Sequence, residues 1–267
     1  MVALPTVGGP DDNVATLNVP HPLPRLFALI PASGTGTRIG DSTPKQYLPV
    51  ADRPLLFYPV LIMAESHRIE SVFVVLSRTD VHFDQHDWSR FGARLSALRV
   101  GGSTRAETVL NGLRAIESRV GPDDWILVHD AARPCLTRKL LDRLIDGVGN
   151  DDVGGLLALQ VADTIKAAAD GRRVATTVDR SALWQAQTPQ MFRYKLLRAA
   201  LEQANLGMVT DEASAMEQMG HEPYLVESDV TNLKVTYPSD LQLADLILRS
   251  YAHEAPWVPK APGEPGA

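Results

Sequence analysis

The chain has a single cysteine, Cys135. One thiol excludes an intrachain disulfide framework and fits a reducing, cytoplasmic setting. No apolar run approaches the ~18 residues that a membrane helix needs. The N-terminus, with Asp11 and Asp12, lacks a basic-then-apolar signal pattern. Lysine and arginine form no block, and the net charge is −6; neither a nucleic-acid nor a membrane partner is expected. The four Trp are scattered, unlike a platform that stacks bases, and the seven His show no metal-ligand spacing. An anionic ligand would therefore have to be met by a few cations that the fold gathers. What remains is ordinary globular composition: 45% hydrophobic and 22% charged over 267 residues, enough for one large α/β domain.

The stretch Leu26–Leu48, LFALIPASGTGTRIGDSTPKQYL, organises the rest. Leu26 to Ile30 reads as a buried strand. It empties into Pro31, Ala32, Ser33, Gly34, Thr35 and Gly36, a turn nearly free of side chains, followed by the cations Arg38 and Lys45. Glycines let backbone N–H groups approach an anion, and the cations add charge where phosphate oxygens would lie. A P-loop is excluded because no Lys-Ser or Lys-Thr follows the glycines. A dinucleotide fingerprint is excluded because Ile39 stands where the third glycine belongs. The expectation is a nucleoside triphosphate site.

Beyond this stretch the pattern alternates. Helices are expected over 54–67 (with Pro59 able to kink it), weakly over 83–92, over 104–118, and from a Thr137 cap through Val148. Strands are expected over 71–76, 95–100, 125–128 and 153–159. That alternation predicts an α/β fold with a doubly wound, mostly parallel sheet, whose ligands lie beyond the strands' carboxyl ends. The glycine loop, Gly101-Gly102 and His129–Arg133 all follow predicted strands, so they should gather on one edge. Residues 161–179 break the rhythm as two strands around Asp170-Gly171, a protruding β-arm expected to make a subunit contact. Then come the stretch 181–191, to which no element is given, a helix over 194–203, a capped helix from 210–212 to 219, and strands over 223–226 and 232–235. A closing helix capped by Ser239 spans 239–250. The termini, 1–24 and 251–267, read as a disordered leader and tail around a single domain at 25–250.

In order along the chain stand PASGTGTR at 31–38, PKQY at 44–47, GGSTR at 101–105, VHDAARP at 128–134, DTIK at 163–166, VDR at 178–180, QTPQ at 187–190, TDEAS at 210–214 and NLKVT at 232–236. Together they resemble the 2-C-methyl-D-erythritol 4-phosphate cytidylyltransferases of non-mevalonate isoprenoid synthesis, from about Leu26 to Ser250. The resemblance implies a Rossmann-like nucleotidyltransferase fold. It implies cytidylyl transfer from CTP to the polyol phosphate with release of pyrophosphate, Mg²⁺ or another divalent cation, and a homodimer whose arms reach the neighbouring site. A ribitol 5-phosphate cytidylyltransferase is the nearest alternative, and a non-catalytic nucleotide-binding subunit a more distant one.

The reaction needs charge neutralisation and alignment rather than a general base or a protein nucleophile. Arg38 and Lys45 are the candidates for the triphosphate, a role the resemblance also gives them. Asp130, a carboxylate beside a triphosphate, suits a metal or a hydroxyl; capping the next turn is its structural alternative. His129 and Cys135 read as structural. Arg133, Arg180 and Lys234 remain for the second phosphate. The resemblance places Arg180 and Lys234 there, Arg180 from the other subunit, and Thr164 and Thr188 near the same ligand. Pro31, Ala32, Ser33, Gly34, Gly36, Gly101, Gly102, Ser103, Thr108, Asp130 and Ala131 form the expected CTP set, with backbone carbonyls accepting from the cytosine amine. Ser33 and Ser103 depart from the alanine and aspartate common among relatives, which bears on the strictness of CTP selection.

Overall fold

A computed structural model describes residues 23–34, 43–149 and 151–254. The expected leader up to residue 22, Gly36 and Arg38 of the glycine loop, and the tail after 254 lie outside the described residues. The elements run β1 (Leu26–Ala32), β2 (Pro49–Val50), β3 (Arg53–Pro54), α1 (Phe57–Glu65), β4 (Ile69–Leu76), β5 (Leu95–Leu98), α2 (Arg105–Ala115), β6 (Trp125–Val128), α3 (Arg138–Val148), β7 (Gly154–Gln160), β8 (Ile165–Ala168), β9 (Val174–Val178), β10 (Trp184–Arg193), α4 (Tyr194–Gln203), α5 (Glu212–Gln218), β11 (Tyr224–Glu227) and α6 (Pro238–Glu254).

Seven strands form one sheet in the order β11-β7-β10-β6-β1-β4-β5. Every pairing is parallel except those of β10, which runs antiparallel to both β6 and β7. β1 lies near the middle, and alternation along it feeds two cores. Ala28 and Ile30 pack under α1, α3 and α6, while Phe27 and Leu29 pack under α2, α4 and α5. A strand covered on both faces has no polar side to show, which is why β1 and β4 read as continuous apolar runs. The expectation of a doubly wound, mostly parallel sheet holds.

Local chemistry sets the helix starts. Thr104 and Thr137 cap α2 and α3 by accepting from the N–H groups of Glu107 and Leu140. Asp211 and Ser214 close a capping box at α5. α6 starts at Pro238 rather than under a Ser239 cap; the Asp240 carboxylate accepts from Thr236 and Tyr237 N–H instead. α1 is shorter than expected. Pro54 belongs to β3, and Pro59 sits in the first turn of α1, where its missing N–H would have had no partner, so it forces no kink. The weak helix over 83–92 is two 3-10 turns, Phe83–Gln85 and Ser89–Arg94, with Gly92 at φ 49 in the second.

One strand expectation fails and one strand is unexpected, both for reasons of hydrogen bonding. Residues 232–235 form no strand: Asn232 donates to the Thr188 carbonyl and the Gln187 amide oxygen, and Val235 N–H donates to Ala132. β10 was not anticipated, because Gln187, Thr188, Pro189 and Gln190 do not look like an interior strand. They are nonetheless buried. The β7–β10 register shifts between Ala186 and Gln190, around the cis Thr188–Pro189 bond, and the buried side chains find partners. The outer half of β10 and the end of β7, Leu159 and Gln160, run beyond the other strands. They carry the arm, whose strands β8 and β9 pair only with each other.

Gly154 starts β7 at φ 117, and a Cβ there would run into the Met191 carbonyl and the Phe192 ring. Gly154→Ala should cost at least about 2 kcal/mol, combining a disfavoured backbone with overpacking. A fall in the urea midpoint at unchanged m-value measures it.

Candidate active site

The loops after β1, β5 and β6 meet at one sheet edge. Gly101 N–H donates to the Leu76 carbonyl at 2.8 Å. A Cβ at Gly101 would lie 2.5 Å from the Ser33 Cβ, so the turns after β1 and β5 touch only because this position is glycine. Thr108 joins them from below. Its fully buried hydroxyl lies 2.6 Å from the Ser33 hydroxyl, receives Gly102 N–H at 3.1 Å and donates to the Thr104 carbonyl. Thr108 thus shapes the two turns rather than offering them a free group. Ser103 gives both its N–H and its hydroxyl proton to Glu107, at 2.7 and 2.6 Å.

Beside these turns opens a cleft of about 370 Å³, lined by Pro31, Ala32 and Gly34 on one side and Asp130, Ala131 and Lys234 on the other. Lys45 lines it from a 3-10 turn, Lys45–Tyr47. Its ammonium donates to the Val235 carbonyl at 2.7 Å, next to Lys234. Gln46 is buried and donates to the Ala32 carbonyl at 2.8 Å, so it engages one of the carbonyls expected to face the base.

Asp130 is the charged centre. Its Oδ1 accepts from Arg105 Nε and its Oδ2 from Lys234 Nζ, each at 2.8 Å. Arg105 also grips Glu212 with both terminal nitrogens, at 2.7 and 3.0 Å. Burial would raise the Asp130 pKa, but Arg105 and then Lys234 hold the carboxyl well below the usual range. Burial likewise opposes the Arg105 charge, but Glu212 and then Asp130 keep this guanidinium firmly protonated.

Beneath Asp130 lies a neutral relay. Asp130 N–H donates to the Thr188 hydroxyl at 3.0 Å, and that hydroxyl is 3.0 Å from His129 Nδ1. His129 Nε2 is 3.0 Å from the Arg133 carbonyl. The Arg133 carbonyl can only accept, so Nε2 of the neutral ring carries the proton and the Thr188 hydroxyl donates to the bare Nδ1. Burial lowers the His129 pKa to about 4, which keeps the ring neutral. His129 is structural, as expected. So is Cys135, whose thiol is fully buried and pushed up to about 12.

The fold gathers Pro31, Ala32, Ser33, Gly34, Lys45, Gly101, Gly102, Asp130, Ala131 and Lys234 around this edge. It does not bring Arg133 to the cleft. That guanidinium is buried and donates to the Asn232 carbonyl at 2.7 Å, tying the loop of Asn232 to the sheet. Thr188 is spent on the relay under Asp130. Thr164 and Arg180 are exposed on and beside the arm, outside the cleft of their own chain. Arg105, Gln46 and Glu212 were overlooked. They stand inside GGSTR, PKQY and TDEAS, yet only a contact across the fold tells a cleft residue from a turn or cap residue.

The buried His129 has a pH signature. An unfolded histidine protonates near 6.5, whereas this one does so at about 4. Between those values the unfolded chain binds the extra proton, so stability is intact above about 6.5 and falls as pH drops toward 4, by about 3 kcal/mol. His129→Asn should flatten that part of the stability–pH curve in urea titrations; an unchanged slope would refute the assignment.

Residues 26–250 match the family model of 2-C-methyl-D-erythritol 4-phosphate cytidylyltransferase (IspD). The chain is 55% identical over 227 residues to the protein of that name from Nitrosospira multiformis, covering 84% of this chain and 98% of the relative. It is 54% identical to the one from Azoarcus, covering 85% of this chain and 95% of the relative. A crystal structure of 4-diphosphocytidyl-2C-methyl-D-erythritol synthase superposes with a TM-score of 0.74 at 40% identity, covering 84% of this chain and 99% of that one. The Francisella tularensis 2-C-methyl-D-erythritol 4-phosphate cytidylyltransferase gives 0.72 at 30% identity, with coverages of 84% and 99%. With Lys45, Asp130 and Lys234 gathered at one cleft and these likenesses spanning residues 26–250, the chain belongs to the 2-C-methyl-D-erythritol 4-phosphate cytidylyltransferase family of nucleotidyltransferases.

Proposed function

We propose that this cleft transfers the cytidylyl group of CTP to 2-C-methyl-D-erythritol 4-phosphate, giving 4-diphosphocytidyl-2-C-methyl-D-erythritol and pyrophosphate for isoprenoid precursor synthesis. The observation that carries the reading is the 2.7 Å hydrogen bond from Lys45 to the carbonyl of Val235. It joins the cation of the glycine-loop region to the segment bearing Lys234, so two sets of positive charge, far apart in sequence, flank one cleft. A nucleotide triphosphate and a second phosphate need that arrangement.

A phosphate oxygen of the acceptor attacks the α-phosphorus, and pyrophosphate leaves in line. The phosphate monoester is already anionic near neutral pH, so no protein base has to remove a proton, and no covalent enzyme intermediate forms. Lys45, with Arg38 of the glycine loop, neutralises the triphosphate and the leaving pyrophosphate. The backbone of Ser33–Gly34 and Gly101–Gly102 receives the nucleoside. Lys234 gives one N–H to Asp130 and keeps the other two donors of its ammonium for the acceptor phosphate.

The donor set also fits Mg²⁺ or a similar divalent cation. Asp130 is the one carboxylate among the described lining residues, and each of its oxygens receives a single N–H, leaving a lone pair on each. Mg²⁺ is commonly held by one carboxylate together with substrate phosphates and water. When bound, it supplies neutralisation of the triphosphate charge. The exposed arm serves as the contact of a homodimer and carries Arg180 and Thr164 to the partner's cleft.

Pyrophosphate release should require CTP and methylerythritol phosphate, and should be far slower with UTP, ATP or GTP, or with ribitol 5-phosphate. No release with any pair would refute the activity. Lys45→Ala and Lys234→Ala should each lower kcat by about 10²–10³ with little change in thermal midpoint; near-normal turnover in both would remove them from the mechanism. A dimer of one Arg180→Ala and one Lys45→Ala subunit should regain roughly half of normal activity when Arg180 acts in trans, because one of its two sites is then intact, so an equal mixture of the two variants should reach about a quarter. An inactive mixture would place Arg180 in its own chain's site.

A further inference from the structure

Glu212 is fully buried, the first residue of α5, and bound through both carboxylate oxygens to Arg105. A third Arg105 donor, Nε, goes to Asp130. A buried ion pair is a poor source of stability, since desolvation offsets the attraction and apolar residues of similar size often do as well. The pair therefore calls for a reason other than stability.

Its surroundings supply one. The start of α5 is bolted to β10: Gln190 accepts Ala213 N–H at 2.8 Å and donates to the Asp211 carboxylate at 2.8 Å. Two residues earlier on β10, Thr188 holds the main-chain N–H of Asp130. One strand thus fixes Asp130 twice, through its backbone by Thr188 and through its side chain by way of Glu212 and Arg105. The planar fork of arginine makes the second link directional. A lysine at 105 could not hold both carboxylates in one geometry.

We propose that Glu212 and Arg105 are positioning residues for the transfer reaction. Glu212 aims the guanidinium so that Nε takes one oxygen of Asp130 and turns the other toward Lys234. The pair thereby places the carboxylate proposed to hold the divalent cation and, through it, the ammonium that meets the acceptor phosphate. The proposal rests on the cytidylyltransferase reading above, and it gives TDEAS, the second glutamine of QTPQ and the arginine of GGSTR a shared purpose.

The test separates this role from folding and from that reading. The parent enzyme must first release pyrophosphate from CTP only with its acceptor; failure there overturns the reading itself. The Arg105→Met/Glu212→Leu double variant, which keeps an apolar pair in the same volume, should fold with a thermal midpoint close to the parent's. Its kcat should fall 10- to 100-fold, and its KM for CTP should stay within threefold. A folded double variant with kcat within threefold of the parent overturns the proposal. Should that variant not fold, Glu212→Gln carries the test. It should lower kcat at least tenfold in the parent and add no further loss in an Arg105→Met background. An undiminished kcat, or an equal extra loss without Arg105, overturns the proposal.

Discussion

Two cations share one carboxylate at the edge of the sheet, and the rest of the site follows from that constraint. Asp130 is almost fully buried, and in that setting an unpaired charge would be driven to neutralise. Arg105 and Lys234, one on each oxygen, hold it ionised. The carboxylate in return fixes where both cations stand. Each of the three comes from a different part of the chain, so the arrangement exists only when the sheet, α2 and the segment before α6 are all in place.

The sheet makes that convergence cheap in backbone terms. Parallel strands bring their carboxyl ends to one edge, so the loops after β1, β5 and β6 need only short excursions to meet. The antiparallel insert, β10, contributes in another way. It places polar side chains under the site where a parallel strand would place apolar ones. Thr188 and His129 satisfy the Asp130 backbone with a neutral relay, whereas Gln187 and Asn232 anchor the segment that leads to Lys234. Buried polar groups are costly unless fully paired, and here most of them are paired with each other.

Much of this was legible in the chain itself. The helices after Thr104 and Thr137, the α4 helix and the strands β4, β6 and β7 follow from apolar periodicity and local capping, both of which act over a few residues. The gathering of the glycine turn, Gly101 and Asp130 followed from strand alternation alone. β10 was illegible because its buried polar residues and Pro189 are explained only by partners some tens of residues away. The burial of Arg133 was illegible for the same reason: the carbonyl that accepts from it belongs to Asn232, far along the chain.

Composition, periodicity and ordered motifs thus determined the fold class, the edge where the loops gather, the family and the cations Lys45 and Lys234. These are properties of short stretches or of their order. Tertiary structure decided how the charges are paired. It set Asp130 between Arg105 and Lys234, backed Arg105 with Glu212, bound Lys45 to the segment of Lys234 and withdrew Arg133 into the interior. Electrostatic pairing acts over a few ångströms in space between residues up to about 190 positions apart in the chain, and no local pattern records it.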